Sequence, residues 1–200
     1  MGRDVVVVGG ANVDVKARAA AALVTGTSNP GTVVRTPGGV GRNVAENLAR
    51  LGRQVALVST VGNDPDGDWL VQETALAGVD IEPVLRGGHT GRYVAVLDDG
   101  GDLAVGVSDM AATDALLPEV LDHDLLRSAA LVVLDGNLPA STIDAVLGLG
   151  VRSVVDPVSV AKAKRIAPLF RAERPVFAVT PNEAELAAMG SVSELHRRGV

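Results

Sequence analysis

Four short polar clusters in this 200-residue sequence carry residue types suited to binding a ligand rich in hydroxyl groups. They are Asn12 with Asp14, the loop Gly38-Gly39-Val40-Gly41-Arg42-Asn43, the tripeptide Asp135-Gly136-Asn137, and Asn182-Glu183-Ala184-Glu185. A carboxylate accepts hydrogen bonds from two hydroxyls, and a carboxamide both donates and accepts, so the mixture suits a sugar. Each cluster also has a purely structural reading. Asn182 with Glu185 three residues on spells a helix capping box. Asp135-Gly136-Asn137 reads equally as a turn, and Asp14 as a solvated residue on a half-exposed strand. The glycines before Arg42 leave room for a ligand near the free amides of a first helical turn. A tight turn into a packed helix would use them equally well.

The elements that must position these clusters follow an alternating rhythm. Val5-Val6-Val7-Val8 is a continuous apolar run closed by Gly9-Gly10, as expected of a strand buried on both faces. Residues 11–16 alternate, which puts Asn12 and Asp14 on one side of a strand. Residues 17–36 read as loop with a short exposed strand around Thr32-Val33-Val34-Arg35. A helix follows the glycine loop, with Val44, Leu48 and Leu51 forming a stripe beside Ala45 and Ala49, and Gly52 as its stop. Residues 54–61 read as a second buried strand, 62–67 as a turn, and 68–76 as a helix ending at Gly78. This βαβα order predicts a parallel sheet covered by helices. Strands at 81–85, 91–97 and 102–107 interrupt it, the last two joined by Asp98-Asp99-Gly100-Gly101. They predict a small antiparallel sheet, placed as a lid and a candidate dimer surface. The rhythm resumes with a helix near 122–127, strand 130–134, helix 140–147, strand 151–155, a segment around 160–169, strand 176–179 and helix 183–189. In an open α/β sheet, ligands bind beyond the carboxyl ends of the strands, where all four clusters would then lie.

Composition removes several classes. A net charge of -6 and 2% aromatic residues argue against nucleic-acid partners. Cysteine is absent, and His89, His123 and His196 lack metal-ligand spacing. No apolar run reaches the ~20 residues of a membrane span, and the first residues enter a strand without a signal pattern. The expectation is a cytoplasmic protein with neither nucleic-acid nor membrane partners. A P-loop would need Gly-Lys-Ser/Thr, which is missing, and Gly39-Val40-Gly41 lies too far from the first strand for a dinucleotide fingerprint.

In order and spacing, Gly10-Ala11-Asn12-Val13-Asp14, Gly38 to Asn43, Gly62-Asn63-Asp64 with Gly67, and Asn182-Glu183-Ala184-Glu185 resemble the ribokinase-like (PfkB) sugar and nucleoside kinases. The resemblance runs from residue 4 to about 190. It implies a ribokinase-like three-layer α/β/α fold with a mainly parallel sheet and a small inserted antiparallel β lid. One domain would span 1–200, incomplete at its C-terminus, with lid strands near 12–16, 32–36 and 81–108. It further implies ATP- and Mg²⁺-dependent phosphorylation of the 5′-hydroxyl of a ribose-type ring. Asp109-Met110 and the stretch Val155 to Ala163 resemble the pseudouridine kinases within that family. Ribokinase or another nucleoside kinase is the alternative; a non-catalytic sugar- or nucleoside-binding remnant and a lid-built dimerisation module are readings from other classes.

By similarity, Asn12, Asp14, Gly38, Gly39 and Asn43 would hold the sugar, and Tyr93 or Asp109 would lie near a base. Asn137 would stand near the transferring phosphoryl group. Asn182 and Glu185 would organise the phosphates and Mg²⁺, Glu185 through water. The family's Gly-Ala-Gly-Asp loop, source of its general base and anion hole, does not occur in the 200 residues. Gly67-Asp68 and Gly101-Asp102 both precede the Asn182-x-x-Glu185 motif and are not that loop. The expectation is a chain without a catalytic residue of its own, a piece of a longer kinase or a remnant that has lost catalysis. Turnover by these residues alone is expected to be negligible.

Overall fold

The computed structural model describes residues 3–200. The chain runs β1 (Val5–Val8), β2 (Asn12–Ala19), β3 (Gly31–Gly38), α1 (Val40–Arg50), β4 (Val55–Val61), α2 (Pro65–Leu76), β5 (Val84–Arg86), β6 (Gly91–Leu97) and β7 (Leu103–Asp109). It continues with α3 (Ala111–Asp114), α4 (His123–Ser128), β8 (Leu131–Asp135), α5 (Ala140–Gly148), β9 (Ser153–Asp156), α6 (Val160–Ile166), β10 (Ala178–Val179), α7 (Glu183–Met189) and α8 (Val192–Arg197).

Six strands form one parallel sheet in the order β10-β9-β8-β1-β4-β5. The four valines of β1 stand at its centre because both faces are covered. Val6 and Val8 join Leu134, Ile143, Val155 and Ile166 in one core, while Val5 and Val7 join Ala45 and Leu57 in another. These are the helix layers of an α/β/α sandwich, and the parallel arrangement brings the exits of β1, β8, β9 and β10 to one edge.

The second sheet, in the order β3-β2-β6-β7, is the lid. β2 and β3 pair along their whole length, from Asn12 opposite Gly38 to Ala19 opposite Gly31. Within residues 17–36, read from sequence as loop with a short exposed strand, 20–30 are indeed loop, but β2 runs on to Ala19 and β3 begins at Gly31, so both strands are longer than expected. Their scattered Ala, Thr and Gly hide a ladder that depends on a partner strand rather than on local propensity. β2 also pairs with β6 in parallel, so the lid is a mixed sheet and not the antiparallel one expected. Segment 81–85 does not join it; β5 pairs in parallel with β4, Ser59 opposite Val84. On α2, Asp66 binds Arg35 of β3 at 3.1 Å and Arg92 of β6 at 2.8 Å, which ties the lid to the sandwich.

Two helix boundaries also depart from expectation. α2 starts at Pro65 inside the expected turn, with Asp64 as its cap; proline at the first helical position and acids in the first turn are start signals. Leu51, assigned from sequence to the buried stripe of α1, lies beyond the helix at its C-cap and is 77% exposed. Gly52 does take the left-handed conformation that ends this helix, with φ +84°. Strand 176–179 contracts to two residues, strand 151–155 shifts to 153–156, and α3 and α8 had no counterpart in the sequence reading.

Candidate functional site

Beyond the exits of β1 and β8 lies a cavity of about 340 Å³. Asn12, Asp14 and Tyr93 line it from the lid. Asp14 and Tyr93 sit opposite one another on β2 and β6, so they share the sheet face that Asn12 also occupies. Gly39 and Asn43 line it from the start of α1, and Asn137 and Val158 from the loops after β8 and β9. Asn12 is buried and donates from Nδ2 to Asp14 Oδ1 at 2.7 Å, which aims the half-buried carboxylate.

The wall between β1 and β8 is pinned by Asp135, the last residue of β8. Its Oδ2 accepts from the Gly10 N–H at 3.0 Å and the Gly41 N–H at 3.2 Å. Its Oδ1 accepts from the N–H and the Nδ2 of Asn137 at 2.8 and 2.7 Å. One buried side chain thus joins the β1 exit, the start of α1 and the β8 exit. Burial pushes this carboxyl above its ordinary value, and the N–H donors from Asn137, Gly10 and Gly41 oppose that push.

The glycines of the loop serve close backbone packing more than open space. A Cβ on Gly39, which has φ +96°, would lie 2.4 Å from Gly10 O, and one on Gly41 would lie 2.6 Å from Gly9 Cα. A Cβ on Gly38 would come within 2.5 Å of the Asp14 carboxylate. The loop is therefore glycine-rich so that α1 can dock on the β1 exit and Asp14 can lie flat against β3.

The Gly62-Asn63-Asp64 motif is a joint at the foot of the lid. Burial alone would raise the Asp64 carboxyl, but hydrogen bonds from the Thr90 hydroxyl, the Thr90 N–H and the Gly67 N–H, with Arg92 nearby, bring it down to about 2. These bonds hold α2, the β4 exit and the start of β6 together.

The remaining expected residues fall outside the cavity wall. Asp109 ends β7 in an exposed position, 2.9 Å from His89 Nε2. Its carboxyl is lowered by the Ala111 N–H and by His89. Asn182 and Glu185 form the capping box of α7: Asn182 Oδ1 accepts from the Glu185 N–H, and Glu185 Oε2 accepts from the Asn182 N–H. The structural reading of this pair is thus realised, one strand beyond β9 on the same sheet edge. No group of three carboxylate or histidine side chains among the described residues could enclose a metal. A lone carboxylate with Oε1 outside the box fits Mg²⁺, which keeps several waters and takes its other ligands from phosphates.

Met110 and Val158, noted in sequence only as parts of family-like stretches, and Thr113, not noted at all, also line the cavity. Thr113 had no signal, since its Oγ1 reaches the site only because α3 packs over Gly10. A larger opening of about 530 Å³ lies elsewhere, between Arg3, Leu85 and Leu125, and holds none of the expected residues. No helix among the described residues is long and apolar enough to cross a membrane.

Residues 3–196 match the pfkB family of carbohydrate kinases. A pseudouridine kinase of Escherichia coli is 32% identical over 98% of this chain and 64% of its own length. A pseudouridine kinase of Arabidopsis thaliana is 33% identical over 93% of this chain and 50% of its own. A carbohydrate kinase structure from Agrobacterium tumefaciens superposes with a TM-score of 0.89 at 26% identity, covering 99% of this chain and 68% of that one. The chain thus spans about half to two thirds of the length of these curated relatives.

Proposed function

The chain belongs to the pfkB family of carbohydrate kinases, and on that premise we propose that the protein carrying it phosphorylates the 5′-hydroxyl of a nucleoside, pseudouridine foremost, with ATP as donor. The observation that carries the reading is the convergence of Asn12, Asp14, Asn43 and Asn137 on one cavity at the sheet edge. Asp14 accepts from sugar hydroxyls, Asn12 fixes its orientation, Gly38 leaves room for that carboxylate, Gly39 shapes the floor, and Asn43 donates from the first turn of α1. Tyr93 offers the base an aromatic neighbour, and Asp109 stands at the rim. Asn137 lies against the 5′-hydroxyl, where the phosphoryl group arrives.

Phosphoryl transfer depends mostly on positioning and charge neutralisation. Glu185, its carboxylate kept in place by Asn182, would help to hold Mg²⁺, which would neutralise charge on the phosphates. The lid covers the sugar and excludes water. Its outer face carries Val33, Val105 and Val107 at 71%, 55% and 59% exposure, a surface suited to a second copy of the lid. Pseudouridine is favoured over ribose by the names of two relatives and by the stretch from Val155 to Ala163. The reaction belongs in the cytoplasm, where ATP and free nucleosides meet.

The test incubates the protein that carries this chain with ATP, Mg²⁺ and pseudouridine, uridine, adenosine, guanosine or ribose, and weighs the products. Pseudouridine 5′-phosphate is expected. Phosphorylation of ribose or adenosine with pseudouridine untouched would overturn the substrate and leave the kinase standing.

A further inference from the structure

We propose that Lys162, steadied by Asn137, is the cationic contact for the phosphate of the phosphorylated product, a reading that rests on the kinase function above. Lys162 lies on α6 and is half-buried, and its Nζ donates to Asn137 Oδ1. The amide is not free to turn, because its Nδ2 is spent on Asp135 Oδ1 at 2.7 Å. An ammonium has three donors, and this hydrogen bond takes one. None of the ion pairs among the described residues includes Lys162. A half-buried cation resting on a neutral amide is poorly compensated for lost hydration, and an anion beside it would correct that.

The surrounding loops are built to hold this cation at the cavity. Arg165, three residues along the same face of α6, donates to Gly136 O at 2.6 Å and Leu138 O at 2.8 Å, bracing the loop that bears Asn137. A Cβ on Gly136 would lie 2.6 Å from Asp156 O, so the β8 and β9 exits pack backbone on backbone into one wall. Val158, on that wall and lining the cavity, is β-branched yet has φ +65°. A residue in that region costs about 1–3 kcal/mol and persists where the surroundings impose it, commonly at ligand sites. Its N–H donates to Asp156 Oδ1 at 2.9 Å, which holds the turn leading into α6.

Charge decides the assignment. The side chain that is ionised on the cavity wall itself is Asp14, which is negative. A phosphate monoester brings a further charge of about -1.5 to -2. Two cations are bonded to wall residues, Arg42 to Asn43 and Lys162 to Asn137. Arg42 is already paired with Glu46, whereas Lys162 joins none of the ion pairs among the described residues and stands on the Asn137 side, where the phosphorylated 5′-oxygen is placed by the function proposed above.

Calorimetric titration of the protein that carries this chain, and of its Lys162→Met and Lys162→Arg variants, with pseudouridine and with pseudouridine 5′-phosphate tests this. Lys162→Met should weaken binding of the 5′-phosphate by roughly 10- to 100-fold, the range of one charge-assisted hydrogen bond, and that of the nucleoside by less than about threefold. Lys162→Arg should restore most of the loss, and both melting temperatures should stay within about 4 °C of the parent. Equal loss for the two ligands, or no loss for either, overturns the assignment and leaves Lys162 as a clamp on Asn137. If the parent binds neither pseudouridine compound but binds ribose 5-phosphate in a Lys162-dependent way, the phosphate contact holds and the nucleoside reading fails. Failure to bind any of them overturns both.

Discussion

Replacing Asp14 with alanine removes the one ionised acceptor on the cavity wall. In the structure this carboxylate takes one hydrogen bond, from Asn12 Nδ2 at 2.7 Å, and keeps its other acceptor positions for a ligand. A hydrogen bond to a charged group contributes ~1.5–3 kcal/mol, and two sugar hydroxyls would make two. Set against the dehydration of the carboxylate, the expected loss is about 3 kcal/mol, or roughly 10²-fold in Kd. The fold should survive, because Asp14 is half-buried on β2 and its loss frees only the Asn12 amide. That corresponds to ~1 kcal/mol and a fall of about 2–4 °C in melting temperature. The assay is calorimetric titration of pseudouridine into the parent and variant chains. Gly38→Ala supplies a second arm, since its Cβ would come within 2.5 Å of the carboxylate and force it to turn. It should lose most of the same affinity with Asp14 still present. Binding by Asp14→Ala within about threefold of the parent would refute the role of this carboxylate. Normal binding by Gly38→Ala would show that its position does not matter.

Three further outcomes follow from the same geometry. Asp64 ionises at about 2 against an ordinary 3.8, so as pH falls the unfolded chain takes up the proton first. Its stabilising contribution is complete above pH ~4 and fades toward pH ~2; the linkage value of about 2.4 kcal/mol, discounted for solvent screening, becomes ~1–2 kcal/mol. Urea titrations of Asp64→Asn should show that deficit at pH 7 and a much smaller one near pH 2.5; an unchanged gap would contradict the assignment. Asp135→Ala leaves the N–H groups of Gly10, Gly41 and Asn137 without their acceptor, at about 1–3 kcal/mol each. A urea-measured loss of ~3–6 kcal/mol is expected, and one below ~1 kcal/mol would show that the knot is dispensable. Val105→Asp on the outer lid face should convert a sedimenting dimer to monomer without changing nucleoside affinity, whereas a parent that is monomeric at micromolar concentration would remove the lid as a dimer surface.

The sandwich was legible wherever burial on both faces left a continuous apolar run. Val5 to Val8, Val55 to Val58 and Leu131 to Leu134 needed no partner to be recognised. The lid was harder, because β3 has Val33, Val34, Arg35 and Thr36 exposed, and its register comes from β2 rather than from its own pattern. β5 is three residues long and half-buried, so nothing local told it apart from a lid strand. The polar residues of the cavity were visible because carboxylate and amide side chains beside glycine stand out in a hydrophobic chain. Their supports were not. The contacts of Asp135 reach 125 residues back to Gly10 and 94 back to Gly41, and that of Lys162 with Asn137 spans 25. No spacing rule encodes such pairings. The glycine loop stood out in the sequence, but the reason for its glycines, backbone docking on Gly9 and Gly10, needed the coordinates.

The most direct test of the central claim is an amide-resolved NMR titration of the ¹⁵N-labelled chain with pseudouridine. The account predicts saturable shifts at Asn12, Asp14, Gly39, Asn43, Asn137 and Val158, the residues around the 340 Å³ cavity. Shifts gathered instead around Arg3, Leu85 and Leu125 at the larger opening, or a folded chain with none at all, would contradict it.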